Sequence, residues 1–165
     1  MSNESAAANI LKSNRYLTLA TVGSDGPWAS PLAYTIEPDS SLVFYSARDS
    51  RHCENISHNP QVSGAVFDSR EPSDTADGVQ FVGTVEEVSD ADLARVMERY
   101  FRLSFPDPEV RARWNRPEGD FKGQAPQRYY RIKIDRIYKP DPTSTLVDRR
   151  VEIDFNTVHA LLSNS

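Results

Sequence analysis

The chain has a single cysteine, Cys53, in 165 residues. No disulfide can form within it, and no cysteine-built zinc site is available. Histidine is also scarce: His52, His58 and His159 are the three. The first two lie six residues apart, on different sides of any helix that carries them, and no carboxylate cluster completes a ligand set, so no metal is expected. No apolar run approaches the ~20 residues that span a bilayer. The opening MSNESAAANILKSN carries an acid and lacks the basic start of an export signal, so a cytoplasmic location is expected. Basic residues are not in surplus: 19 Lys and Arg stand against 24 Asp and Glu, a net charge of −5. Nucleic acids and acidic membranes are bound through cations that displace counterions, so neither is an expected partner. A local basic patch for one phosphate group is compatible with that balance. The nucleophile elbow G-x-S-x-G, the GxxxxGK loop and the GxGxxG fingerprint are all missing, which leaves hydrolase and nucleoside-triphosphate readings unsupported.

What is present describes an ordinary folded chain, 38% hydrophobic and 26% charged, with the length of one domain over residues 1–165. Residues 3–14 read as a helix. Residues 15–22 and 27–37 are rich in β-branched and aromatic types and flank Ser24-Asp25-Gly26, which predicts a β-hairpin. Pro31 in the second run cannot donate to a ladder, so that stretch should be a bulge, a sheet edge or a place where another molecule meets the backbone. A turn at 38–41 precedes a strand at 42–46, then a short helix over 49–59 ended by Pro60. Residues 61–69 alternate as a strand, 70–77 are a polar loop, and 78–88 form the clearest strand, with Val79, Phe81, Gly83 and Val85 on one face. Ser89 caps a helix running to about residue 103, whose Leu93, Val96, Met97, Tyr100 and Phe101 share a face. The stretch 106–126 holds one or two helical turns around 108–114. Residues 127–138 form a long strand with Tyr130, Ile132, Ile134 and Arg136 together on one face. A weaker strand over 146–155 and a short helix over 157–162 close the chain. Strands in short-turn succession with helices inserted singly predict a mainly β (α+β) fold, a six- to seven-stranded antiparallel barrel with flanking helices.

The densest chemistry lies where the strand at 42–46 hands over to a helix, in Ser46-Ala47-Arg48-Asp49-Ser50-Arg51-His52. A helix N-terminus presents unpaired N–H groups and the positive end of its dipole, which suits a phosphate. Ser46 and Ser50 add hydroxyls, and Arg48 and Arg51 add charge-assisted donors. The plainer reading is a capped surface helix with solvated arginines. Trp28, Tyr34 and Tyr45 are placed to wall a flat ligand, although aromatic residues on strands mostly fill cores. Gln80 either meets a ligand or faces solvent. Cys53 reads as a buried structural thiol.

The order of these features resembles the pyridoxamine-phosphate-oxidase-like FMN-binding split barrels, and in particular a small bacterial subgroup of them. Carrying the resemblance are Pro31-Leu32-Ala33-Tyr34, Phe44-Tyr45-Ser46, Ser50-Arg51-His52 opening a helix that ends at Asn59-Pro60, and the strand from Gly78 to Val85. The stretch from Phe101 to Pro106 and the late strand ending Asp135-Arg136-Ile137 add to it, and the likeness covers roughly residues 5–140. It implies a homodimer with flavin sites between subunits. The phosphate role falls to Ser50, Arg51 and His52, with Arg48 beside them. Pro31, Leu32, Ala33, Tyr45 and Ser46 line the isoalloxazine, and Gln80 reaches the ring or ribityl chain. Two departures matter. His52 stands where many members have lysine, and the chain does not supply the C-terminal segment of the true oxidase, so oxidation of a B6 vitamer is not expected. Three functions remain open: an FMN-dependent oxidoreductase acting on a small molecule, a non-catalytic binder of flavin, deazaflavin or haem, and a cofactor-free dimeric barrel. The acidic tail of a deazaflavin would need extra basic residues near the mouth, for which Arg48, Arg70 and Arg149 are the candidates. No side chain stands out as an acid or base, so no catalytic residue is named.

Overall fold

The computed structural model describes residues 1–72, 76–146 and 149–163. In chain order the elements are α1 (Asn3–Ser13), β1 (Tyr16–Gly23), β2 (Gly26–Ala33), β3 (Thr35–Ile36), β4 (Leu42–Ala47), α2 (Arg51–His58), β5 (Gln61–Phe67), β6 (Gly78–Glu87), α3 (Asp90–Ser104), α4 (Pro108–Trp114), a 3₁₀ turn at Glu118–Phe121, β7 (Gln127–Pro140), β8 (Arg150–Ile153) and α5 (Phe155–Ser163). Every strand pair is antiparallel. The sheet runs β2-β1-β5-β6-β7-β4-β3, with β8 added to the far end of β7. This curled, incompletely closed sheet with flanking helices is the split-barrel fold. Among the described residues no helix is long and apolar enough to cross a membrane.

The β1–β2 hairpin closes as Gly23↔Gly26 around Ser24-Asp25, with Gly26 at φ 93°. The predicted strand over 27–37 is not continuous. At Tyr34 the chain leaves β1, and the next two residues pair with β4 instead. Tyr34 anchors this crossing, because its amide donates to the Arg15 carbonyl (3.1 Å) and its buried hydroxyl to the Leu11 carbonyl (2.6 Å). Pro31 sits on β2, which is an edge strand, as a missing N–H requires.

Two apolar clusters sandwich β4 and β7. Inside the curl lie Leu17, Leu19, Phe44, Val66, Phe81 and Ile132, closed off by α1 and α5. On the other side α3 lays Leu93, Val96, Met97, Tyr100 and Phe101 over Val43 and Tyr129. Strands buried on both faces read as unbroken apolar runs, which accounts for Leu42-Val43-Phe44. Ser89 accepts from the Asp92 amide (3.3 Å), so the expected cap of α3 is made.

On β7 the expected face assignment breaks. Arg136 is exposed and Ile137 buried, because β6 and β7 shift register between Val82↔Arg136 and Gly83↔Ile134. Asp135 is the extra residue of a β-bulge, and alternation reverses beyond it. The final strand is shorter than the predicted 146–155: it spans Arg150–Ile153, Phe155 already begins α5, and 147–148 lie outside the described residues. The polar 70–77 stretch likewise includes 73–75, outside the described residues. The bulge demands glycine at position 83, where a Cβ would fall well inside contact distance of the Lys133 carbonyl oxygen, a backbone atom that cannot swing away. We expect Gly83→Ala to lose about 1–3 kcal/mol in urea unfolding. An unchanged midpoint would mean that the bulge relaxes freely.

Candidate functional site

The sheet fails to close between β2 and β4. β2 ends the strand order, and β3 covers only Leu42 and Val43 of β4. Among the described residues the outer backbone edges of Gly26–Ala33 and of 44–47 therefore have no strand neighbour. Edge N–H and C=O groups of this kind must find a partner of some sort. Helix α2 packs against β1 and β2 beside the gap. Asn55 donates to the buried Thr21 hydroxyl (3.0 Å), and Thr21 donates to the Trp28 carbonyl (3.4 Å). This close approach needs Gly23, whose Cβ would overlap the Asn55 amide oxygen.

His52 spans the gap. Its Nδ1 lies 3.3 Å from the Ser30 hydroxyl on β2, and its Nε2 lies 2.8 Å from Ser46 on β4 and 3.2 Å from Ser50. The Ser50 hydroxyl spends its one proton on the Ala47 carbonyl at 2.7 Å, so toward the imidazole it can only accept. Nε2 is then the protonated nitrogen, and Nδ1 accepts from Ser30. The ring is 9% exposed, and burial holds its pKa below the usual histidine value. The residue expected at the phosphate is thus turned inward, with both nitrogens engaged.

The N-terminus of α2 is open. Ser2, Ser89 and Asp107 cap α1, α3 and α4 with their side chains, and Asp154 does so for α5. Ser50 makes no such cap. Four N–H groups of a first helical turn lack intrahelical acceptors; that of Ser50 donates to the Ala47 carbonyl (3.1 Å), and those of Arg51, His52 and Cys53 are left for an external one. Arg51 stands beside them, its guanidinium 4.4 Å above the Trp28 ring and one N–H on the Asp25 carbonyl (3.1 Å). Its other donors bond nothing among the described residues. Arg48 is exposed at the same turn, its backbone N–H tied to Pro126 (2.8 Å). Trp28 thus holds the Arg51 guanidinium over its ring.

At the other end of the gap Pro31 and Ala33 are exposed and Leu32 and Tyr45 half-buried. Tyr45 packs edge-on against Tyr100 (5.4 Å) and Phe121 (5.5 Å). A cavity of about 770 Å³ borders Ala33 and Tyr45 and extends past Tyr16 and Phe105 to Arg99. Thr35 also lines it, and the Thr35 hydroxyl is buried without a hydrogen-bond partner. Tyr34, with its hydroxyl already bonded, is a strut. Gln80 is not gathered here. It occupies the row Pro31↔Thr18↔Ala65↔Gln80 on the outer face, three strands from β2, which at strand spacing is about 14 Å away. Arg70 is committed to Asp68 through two of its nitrogens (2.9 and 2.7 Å). Cys53 is buried, and burial pushes its thiol pKa up, which suits a structural role. Among the described residues no group of three or more metal-type side chains could hold an ion. Sequence reasoning missed Ser30. Its signal was a polar residue at an inward position of an otherwise apolar strand.

Residues 4–139 match the family model described as pyridoxamine 5'-phosphate oxidase. No curated protein matches in sequence. Among solved structures the chain is similar to a heme-binding protein from Mycobacterium smegmatis (TM-score 0.69, 18% identity, covering 97% of this chain and 61% of that one). It is similar also to a protein of unknown function from Agrobacterium tumefaciens str. C58 (0.68, 20%, 90% and 60%). A third is a FAD-binding protein from Mesorhizobium loti (0.64, 21%, 93% and 96%). The chain thus spans only about three fifths of the first two.

Burial of His52 has a measurable consequence. The unfolded imidazole protonates near pH 6.5, while the folded one resists. Its contribution is complete above that pH and is lost as pH falls through the unfolded pKa toward the lower folded one. We expect the urea midpoint of the wild type to drop more between pH 7.5 and 5 than that of His52→Gln. Equal drops would mean that His52 titrates as an exposed side chain.

Proposed function

The chain belongs to the pyridoxamine 5'-phosphate oxidase-like split-barrel family, and from that premise we propose that it is an FMN-binding flavoprotein that transfers electrons to a small molecule. The observation that carries the reading is the uncapped N-terminus of α2 beside Arg51, at one end of an open strand edge. The first-turn amides of α2, the free donors of Arg51 and the exposed Arg48 suit a phosphate monoester. The unpaired backbone along Pro31–Ala33 and 45–46 suits a flat ring with donors and acceptors on its rim. Bound flavin itself supplies hydride or electron transfer. The protein's part is to fix the phosphate at α2, hold the ring along the edges and admit the substrate through the cavity beside Tyr45. A haem in the gap is the weaker reading, because His52 has no nitrogen left for an iron.

A second copy of the chain completes the reading. The outer sheet face carries exposed Tyr16 (66%), Val22 (53%) and Phe67 (54%) around Thr18 and Ala65. One face of an antiparallel sheet is ordinarily polar, and an apolar patch there suits association. Gln80 lies on that face, so in a homodimer it would address the flavin held by the partner.

Incubation with excess FMN followed by desalting should leave bands near ~370 and ~450 nm, since the bound flavin keeps its own chromophore; a colourless product would sink the proposal. Arg51→Ala should weaken FMN binding by about 1.5–3 kcal/mol, the usual worth of a charge-assisted bond; an unchanged affinity by flavin fluorescence quenching would move the phosphate elsewhere. Wild type should elute as a dimer in light-scattering chromatography, and Val22→Lys combined with Phe67→Lys as a monomer. A monomeric wild type would exclude the shared site.

A further inference from the structure

We infer that His52 is a positioning residue: it ties Ser30 to Ser46 across the split and frees the Ser46 hydroxyl proton for a hydrogen-bond acceptor on the bound ligand. For the identity of that ligand the inference rests on the flavin reading. For the donor it rests on the hydrogen bonds alone.

The direction of each bond follows from one fixed point. Ser50 gives its proton to the Ala47 carbonyl, which makes Nε2 of His52 a donor, shared between Ser50 and Ser46. Ser46 therefore accepts from the imidazole, and its own proton is unspent. No other described residue takes it. The residue paired with Ser46 across the sheet is Arg128, whose guanidinium is filled by the Ala125, Gln127 and Gly123 carbonyls and by Glu87 and offers no acceptor. On its other side the backbone of β4 has no strand neighbour at this position among the described residues. A half-buried hydroxyl donor at the rim of a gap is complete only when an outside acceptor meets it. A flavin ring, with its carbonyl oxygens and bare ring nitrogens, carries such acceptors. The opposite tautomer would require Ser46 to donate to Nε2 and would present the gap with an acceptor instead. The choice of tautomer thus sets which ligand groups the edge of β4 prefers. A lysine here would deliver a charge to the phosphate but could not accept from Ser30.

Two arms test this. In the ligand-free protein, long-range proton–nitrogen NMR should find His52 neutral and protonated at Nε2 at pH 7.5; protonation at Nδ1, or an imidazolium, would overturn the inference. In FMN titrations, Ser46→Ala and His52→Leu should each raise Kd by roughly tenfold, the scale of one hydrogen bond. The double variant should be little weaker than either single one, because both changes remove the same interaction. His52→Gln, which keeps a donor and an acceptor, should stay within about threefold of wild type, with urea midpoints confirming that each variant folds. His52→Lys should bind FMN less tightly than wild type. Tighter binding would mean that position 52 serves the phosphate directly, and an unaffected Ser46→Ala that the ligand does not use the Ser46 donor; either would overturn the inference. If wild type takes up no FMN, the flavin reading fails and the inference fails with it as to ligand, while the NMR arm still decides the orientation of the Ser46 donor.

Discussion

A sheet that curls without closing leaves two naked strand edges, and this structure depends on how the interval between them is held. At one end the chain itself crosses, with Tyr34 bonded to the carbonyls of Leu11 and Arg15. At the other a buried imidazole reaches from Ser30 to Ser46. Between these ties the edges stay apart and unpaired, a condition that sheets usually avoid because an open edge recruits other strands. Here α2 occupies the flank, and its Asn55 is anchored to Thr21 of β1. The gap is therefore a fixed slot with backbone polar groups along its walls and a helix N-terminus at one mouth.

Charge is distributed in the same sense. The chain is acidic overall, yet Arg48 and Arg51 stand at the uncapped helix. Several acids elsewhere meet local partners on the surface, as Asp120 does with Arg116 and Glu118 with Lys122, and such exposed pairs add little stability. Some groupings are more deeply set, buried Lys139 with Asp77 among them. Buried Glu37 faces Arg95 and Arg99 of α3, and Arg128 gathers the Gly123 and Ala125 carbonyls before β7 and the Gln127 carbonyl at its start, together with Glu87. Both pin peripheral pieces over β4, and removing the partners of Glu37 or of Arg128 would strand a desolvated charge.

Those pieces carry the second apolar cluster, in which Tyr45, Tyr100, Phe121 and Tyr129 meet within 4.8–5.5 Å. Tyr45 thus belongs at once to a packed core and to the wall of the cavity beside the gap. Packing fixes its ring, since a side chain with neighbours on three sides has one rotamer to occupy. Beyond it Phe105 and the exposed Trp114 stack with parallel rings 5.7 Å apart, the aromatic contact between α4 and the end of α3.

Periodicity and turn chemistry carried much of this into the sequence. The hairpin around Ser24-Asp25, the capped α3 with its apolar face and the alternating β6 all follow from local rules acting on neighbouring residues, while Pro31 left a bulge, an edge or a contact with another molecule open until the strand order settled on the edge. The order of strands and the run Ser46–His52 pointed to the family and to the start of α2. What stayed hidden depends on residues distant in the chain. The break at Tyr34 is decided by carbonyls on α1 and β1, and the reversal at Asp135 by a register shift against β6. Gln80 and the gap read as one site, yet three strands separate them. His52 is the sharpest case: by type and position it reads as a phosphate contact, and it becomes a buried bridge because Ser30, twenty-two residues earlier, lies across the opening from Ser46. Local sequence determined which elements form and where arginines gather at a helix start. Only tertiary contact decided which way a side chain at the joint between them turns, because that depends on the hydroxyls and carbonyls that folding brings to it.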